Sequence, residues 1–385
     1  MPHRVVVDLL GYTGRRGGTE TYARELMIRL PALLPDVEWV ALSNRRGAPG
    51  VRSFFPGEVR VLRWVGADRV TWALGAVLGV ATAARRARAS VVWCPANFGP
   101  ITRRTARIVT VHDAIYHTIE GRLLARCVSA ATSWLMTRSA RTADAVITVS
   151  HAAAGAIEQH MGVLPNKITV IPNGTGEPAP PSQPWELLQP LGIHPGRRIV
   201  LSAGNRLPHK NLPGLLRALR TIPPAQRPLL VVAGGGSDDP LIRDRAAMDL
   251  VADVVLPGWV TTEQLEALYS IADLYVCPSL NEGFGLPVLD ALRRGIPVVA
   301  SDIPVLREVG GTVARYADAT DPEAFGSAMA EALQTPSRAG DKSGREDWAK
   351  RFNWEASASA VASVMSRMVS RGSETKSRRE GREEH

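Results

Sequence analysis

A chain of 385 residues with 45% hydrophobic and 22% charged side chains has material for two or three globular domains of roughly 100–200 residues each, and it is too apolar to be disordered along most of its length. Three cysteines, Cys94, Cys127 and Cys277, with no CxxC pair and no metal-ligand spacing, exclude a disulfide scaffold and suit reduced thiols in a cytoplasmic protein. The net charge of +9 is carried by the first 175 residues, with 22 basic and 11 acidic side chains against 24 and 26 in the remainder; that half suits an anionic membrane or a phosphorylated acceptor, and without an RNP, helix-turn-helix or zinc pattern nucleic acid is not expected as a partner.

Residues 5–10 (Val-Val-Val-Asp-Leu-Leu) are too few for a signal-peptide core and predict a first buried strand. A glycine loop follows, and then a helix whose apolar stripe runs through Tyr22, Ala23, Leu26, Met27, Leu30, Leu33 and Leu34. Further strands are predicted at 38–42, 90–93, 107–111 and 145–149, with helical segments between them. Residues 70–84 form an uncharged apolar segment between Arg69 and the group Arg85, Arg86 and Arg88. It reads either as a buried helix or as a helix that dips into a membrane interface. The proline cluster from Pro178 to Pro195 cannot continue a helix or a sheet and predicts a linker.

Alternation then resumes. Strands are predicted at 199–203, 229–233, 274–277 and 297–300, and Thr261-x-x-Gln264 is a capping-box signature that opens a helix. Residues 342–370 are expected to be helical, and the Ser/Arg/Glu-rich tail after them disordered. Strand–helix alternation implies α/β architecture, with two doubly wound Rossmann-like domains facing across a cleft. The expected divisions are 1–175, a linker at 176–197, a second domain at 198–350, a closing helix at 351–370 and the tail at 371–385.

Ligands in such folds bind beyond the carboxyl ends of strands, so the loops there are the candidates. Gly14-Arg15-Arg16-Gly17-Gly18-Thr19-Glu20 joins the first strand to the first helix. Its paired glycines let backbone N–H groups approach an anion, with Thr19 placed to cap the helix. The spacing is not GxGxxG, which argues against a nicotinamide enzyme. His112, before Asp113 at a strand end, can hydrogen-bond a substrate hydroxyl under the orientation of a neighbouring acid. In 202–211, Lys210 can balance a diphosphate as a point charge. The most informative run is Ser279-Leu280-Asn281-Glu282-Gly283-Phe284-Gly285-Leu286-Pro287-Val288-Leu289-Asp290. A strand enters a Gly-Phe-Gly turn and then a helix, and two carboxylates stand eight positions apart. Freed amides at a helix start suit phosphate, and carboxylates suit vicinal diols.

On these residues the chain resembles the GT-B retaining glycosyltransferases of family 4, and is similar to bacterial mannosyl- and glucosyltransferases. The glycine loop, His112-Asp113, Val149-Ser150-His151, Ile171-Pro172-Asn173-Gly174, Pro208-His209-Lys210-Asn211, Glu282 to Pro287 and Phe352-x-Trp354 occur in the family's order over nearly the whole length. The resemblance implies transfer of a hexosyl unit, mannose or glucose, from a GDP- or UDP-linked sugar to an acceptor hydroxyl, with retention and without a metal or resident cofactor. It places Gly17 and Gly18 against the donor diphosphate and His112 at the transferred sugar. Lys210 falls on the diphosphate and Glu282 on the sugar. Gly283, Phe284, Gly285 and Leu286 form the backbone cradle, and Asp290 falls at the ribose, where the family usually has glutamate. Asn205 stands where many members carry arginine, with Arg206 displaced by one.

The acceptor expected is a glycan or lipid-linked precursor, met by a cytoplasmic protein in peripheral contact with the inner face of the membrane. The rival readings are a nucleotide-sugar epimerase of the same architecture and an inert sugar-nucleotide or membrane-binding protein.

Overall fold

Apolar runs at strand spacing build two separate parallel sheets. The computed structural model describes residues 3–14, 17–66, 69–102, 105–113, 123–236, 238–335 and 338–383. The chain divides into a first unit, Met1–Gly174 with Trp354–His385, and a second, Thr175–Asn353.

The first unit holds β1 (His3–Leu9), β2 (Val37–Ser43), β3 (Glu58–Val61), β4 (Val91–Cys94), β5 (Ala106–Val111), β6 (Ala145–Thr148) and β7 (Ile168–Val170), in the order β3-β2-β1-β4-β5-β6-β7. Every pairing is parallel, and Val5 of β1 lies opposite Trp39 on one side and Val91 on the other. Val5, Val6 and Val7 are wholly buried, as expected of a central strand covered on both faces.

The second unit repeats the pattern with β8 (Ile199–Ala203), β9 (Leu229–Ala233), β10 (Val254–Gly258), β11 (Leu274–Cys277), β12 (Val298–Ser301) and β13 (Arg315–Ala317), ordered β10-β9-β8-β11-β12-β13. Each sheet changes winding direction beside its first strand, between β1 and β4 and between β8 and β11. A crevice opens at the carboxyl ends of strands at such a point.

The last helix, Trp354–Glu383, belongs to the first unit. Arg29 on the first helix, Gly18–Leu33, donates to Glu355 at 2.9 Å, Tyr22 meets the Trp354 ring edge-on at 6.4 Å, and Ser357 donates to the Pro172 carbonyl at 2.6 Å. The helix continues through 371–383, where composition predicts disorder. Lys, Arg and Glu are good helix formers, and Glu374 stands four residues before Arg378.

Three other expectations change. The predicted linker is partly folded: Pro184–Leu188 makes a turn of helix, and Leu188 and Ile193 are fully buried in the second unit. The apolar segment at 70–84 is not one regular helix but α-helix at Arg69–Leu74 and Val80–Arg86 around a π-helical turn at Gly75–Gly79. A Cβ at Gly75 would lie 2.8 Å from Val65, and one at Gly79 would lie 2.7 Å from Leu62, so both glycines allow close packing there. The first helix starts at Gly18 with Gly17 as its N-cap, which places Thr19 inside the helix rather than at its cap. The loop before it is tied instead by Glu20, which accepts from the Thr13 amide at 2.7 Å and the Thr13 hydroxyl at 2.8 Å.

Asp8 interrupts the apolar β1 and is buried, its Oδ1 accepting from the Leu10 amide at 3.0 Å. Burial pushes its carboxyl up to about 7, against the lowering effect of that hydrogen bond. The native state therefore holds the proton longer than the unfolded chain, and the resulting stability is present below pH ~4 and lost as pH rises through 7. Asp8→Asn keeps an acceptor for Leu10 and removes the ionisation. It should stabilise the protein by up to about 4 kcal/mol at pH 8 and by little at pH 4, read from urea denaturation at the two pH values. Equal effects at both would show that folding does not raise the Asp8 pKa.

Candidate functional site

In the second unit, β8 ends at Ala203 and the chain turns through Gly204, at φ +157°. A Cβ on Gly234, the residue after β9, would lie 2.1 Å from the Gly204 carbonyl, so two strand ends meet here at backbone distance. A short 3₁₀ turn, Pro208–Lys210, then delivers Lys210, and β11 delivers Ser279 and Glu282 just past its carboxyl end. Lys210 Nζ lies 2.5 Å from Glu282 Oε1, with the side chains 18% and 10% exposed, and Ser279 Oγ donates to the same carboxylate oxygen at 2.8 Å. The two loops are bound together by the Leu280 amide, which donates to the His209 carbonyl at 2.7 Å.

A pocket forms at this switch point, and Gly204, Asn205, Lys210, Ser279, Glu282 and Pro287 are among its lining residues. Below it, Cys277 Sγ lies 4.0 Å from Glu282 Oε1; burial first, and that carboxylate second, push the thiol up to about 11, which keeps it protonated. His209 is held below the usual histidine range by burial and by the Lys210 ammonium.

The glycine turn is required by geometry. Gly285 caps the helix Leu286–Arg293 at φ +100°, and a Cβ there would lie 2.8 Å from Leu306. The Phe284 side chain is buried, 5.9 Å edge-on to Phe352, so this residue offers only backbone to a ligand. Asp290, in the same helix, accepts from the Thr175 hydroxyl at 2.6 Å.

In the first unit, Gly17 and Gly18 open the first helix after β1, and His112 follows β5. His112 is buried and stands edge-on to Tyr22 at 4.9 Å. Its Nε2 lies 2.7 Å from the Pro95 carbonyl, which can only accept, so Nε2 carries the proton and Nδ1 keeps its lone pair. Burial lowers the ring to about 4, with the Pro95 bond opposing, so the imidazole is neutral at physiological pH. The orienting group is thus a carbonyl, not the neighbouring acid that the sequence suggests. The backbone of His112 is fixed by Asn97, whose Oδ1 accepts its amide at 2.7 Å.

Residues 184–352 match the family described as Glycosyl transferases group 1, and residues 16–175 match Glycosyltransferase Family 4. The chain belongs to the group 1 glycosyltransferases. It is 35% identical to O-antigen chain mannosyltransferase B of Escherichia coli over 172 residues, covering 40% of this chain and 42% of that protein. The chain spans about half the length of the curated relatives it matches. Among solved structures, sucrose-phosphate synthase from Thermosynechococcus elongatus superposes with a TM-score of 0.75 at 19% identity, over 96% of this chain and 99% of that one. HepE of Anabaena, in complex with UDP and glucose, does so with a TM-score of 0.65 at 18% identity, over 97% and 99%. The fold is GT-B.

For a group 1 glycosyltransferase, the notable departure is at residues 205 and 206, in the loop after β8. Asn205 lines the pocket, whereas Arg206 turns away from it. Arg206 Nε lies 2.6 Å from Asp239 Oδ2, its Nη2 donates to the Val232 carbonyl at 2.9 Å, and its Nη1 to the Gly204 carbonyl at 3.2 Å. Asp239 in turn accepts the Leu241 amide at 3.0 Å. Asp239 is therefore not an open carboxylate. The sequence marks Arg206, Asp239 and Ser279 but not their partners, and it gives no sign of Asn97.

With exposures of 10% and 3%, the Arg206–Asp239 pair is buried, and removing one partner leaves an uncompensated charge. Arg206→Ala should cost about 3–5 kcal/mol in denaturant unfolding, and Arg206→Met with Asp239→Leu should recover most of it. No recovery in the double variant would mean that the guanidinium's bonds to the carbonyls, rather than charge pairing, hold the loop.

Proposed function

We propose that the chain is a retaining hexosyltransferase that uses a nucleotide diphosphate sugar, GDP- or UDP-linked, as co-substrate and an acceptor hydroxyl of a glycan or lipid-linked precursor. The observation that carries the reading is the convergence of Asn205, Lys210, Ser279 and Glu282 on one pocket at the β8/β11 switch point, with Pro287 at the start of Leu286–Arg293 beside them. HepE, of the same fold, has been solved with UDP and with UDP-glucose, which supports a nucleotide-sugar donor.

In this reading the diphosphate lies against Lys210 and the cradle from Gly283 to Leu286, with Gly17 and Gly18 as further amide donors. Glu282 accepts from sugar hydroxyls. Asp290, one methylene shorter than glutamate, takes ribose by giving up Thr175. His112, neutral with a free Nδ1 lone pair, suits the acceptance of a hydroxyl hydrogen from the transferred sugar.

The bond from the anomeric carbon to the phosphate oxygen breaks as the acceptor oxygen bonds to that carbon on the same face. The acceptor's proton passes to the departing phosphate. Charge gathering on that phosphate is met by the Lys210 ammonium, the helix dipole and loop amides, a stabilisation that needs no metal. Asp239, committed to Arg206, is not placed to recruit one.

The acceptor side of the reading places a cytoplasmic enzyme in peripheral contact with the inner face of the membrane. Leu74 and Leu78 are 48% and 61% exposed, and Trp64, which packs near Gly79, is 52% exposed. Arg63, Arg85, Arg86 and Arg88 are exposed beside them in sequence, and no acidic residue occurs from 69 to 112. Apolar side chains with basic neighbours are what an interfacial helix uses, each basic group adding about 1 kcal/mol near an anionic surface.

Lys210→Ala and Glu282→Ala should each lower turnover at least ~100-fold with a panel of sugar nucleotides, and activity should persist in a chelator. Wild-type rates in either variant would remove that residue from the site. The protein should co-sediment with phosphatidylglycerol vesicles and much less with phosphatidylcholine, and Leu74→Glu with Leu78→Glu should abolish the difference. Equal sedimentation with both lipids would end the membrane reading.

A further inference from the structure

We infer that Glu282 competes with the donor's diphosphate for Lys210, so that the site favours an intact sugar nucleotide over the free nucleoside diphosphate that transfer leaves behind. This rests on the donor-site reading above and concerns how that site discriminates its substrate from its product.

The starting observation is the ligand-free pairing. Lys210 Nζ and Glu282 Oε1 are 2.5 Å apart, largely shielded from solvent, and their loops are bound to one another through Leu280 and His209. Lys210 is the one cation lining the pocket among the described residues, since Arg206 is spent on Asp239. A diphosphate that seeks an ammonium here finds it already neutralised, with a carboxylate beside it. Lys210 can share its donors or release Glu282. Either way, two like charges are brought within a few ångströms in a partly desolvated place, which is costly.

A sugar changes that balance. Its hydroxyls donate to Glu282, replace the bond that Lys210 withdraws, and hold the carboxylate away from the phosphates. Ser279 already holds Oε1 at 2.8 Å, so the carboxylate stays in place as its partners exchange. The diphosphate and the sugar therefore bind with positive coupling through one ion pair. Once the sugar has moved to the acceptor, the compensating donors leave with it. Glu282 then faces the product's charge again, which favours release.

The test is isothermal titration of GDP, UDP, GDP-mannose and UDP-glucose into the wild-type protein, Glu282→Gln, and Glu282→Gln with Lys210→Met. Melting temperatures establish that each variant is folded. Glu282→Gln keeps the shape and the Ser279 bond but removes the carboxylate's charge from beside the ammonium. It should bind the preferred nucleoside diphosphate about tenfold more tightly or better, while the sugar nucleotide gains less or weakens, and Lys210→Met should erase the gain. Unchanged or weaker nucleoside diphosphate binding in folded Glu282→Gln would overturn the inference. So would an equal gain for the sugar nucleotide, or a gain that survives Lys210→Met. Should Glu282→Gln not fold, Glu282→Asp, which lengthens the pair, carries the same expectation with a smaller gain and the same refutations. Failure of the wild-type protein to bind any of the four would instead overturn the donor-site reading.

Discussion

A parallel sheet buried on both faces has no room for working polar groups along its strands. That constraint shapes both units. Val5, Val6 and Val7 are fully enclosed in β1, and β8, β9, β11 and β12 are buried through nearly all their length. Polar chemistry is displaced to the ends, and at the carboxyl ends the backbone amides of the following helices point outward to meet it. Asp8, near the end of β1, marks the limit: a carboxyl that stays inside is pushed towards neutrality.

The second unit uses its few charges in two ways. Arg206 is a fastener, reaching the carbonyls of Gly204 and Val232 while its charge is matched by Asp239. Its task is to tie the loop after β8 to β9 and to the loop that follows β9. Lys210 is partly exposed at the pocket and is paired with Glu282, which lines the pocket as well. The difference between the two cations is where their counter-charge sits. Asp239 is sealed in at 3% exposure, whereas Glu282 borders the pocket.

The architecture was legible because its signals are periodic. The strand runs of both units and the Thr261–Gln264 capping box, with bonds of 3.0 and 3.1 Å, could be read directly. What escaped reading had no period. β3, β7, β10 and β13 are short strands at or near the sheet edges, and β3 and β7 have no fully buried residue. Lys210 and Glu282 were marked by their motifs, but their pairing joins positions 72 apart. The Arg206–Asp239 bond is likewise a tertiary fact, 33 positions long. His112 was visible at its strand end, but its tautomer depends on the Pro95 carbonyl, a neighbour seventeen positions earlier that no local pattern announces.

The first unit is discontinuous, since Trp354 and Ser357 complete it only after the whole of Thr175–Asn353 has been made. During synthesis the amino-terminal sheet must wait without its last helix while the second unit, a single continuous stretch, has everything it needs to close first. Until Trp354 and the turns after it leave the ribosome, the Tyr22 side of the early fold lacks its cover, and in that interval the nascent chain is most open to misassociation or to a chaperone. The helix Trp354–Glu383 is thus what the first unit waits for: a chain cut short of Trp354 would carry a finished second unit attached to an unfinished first one.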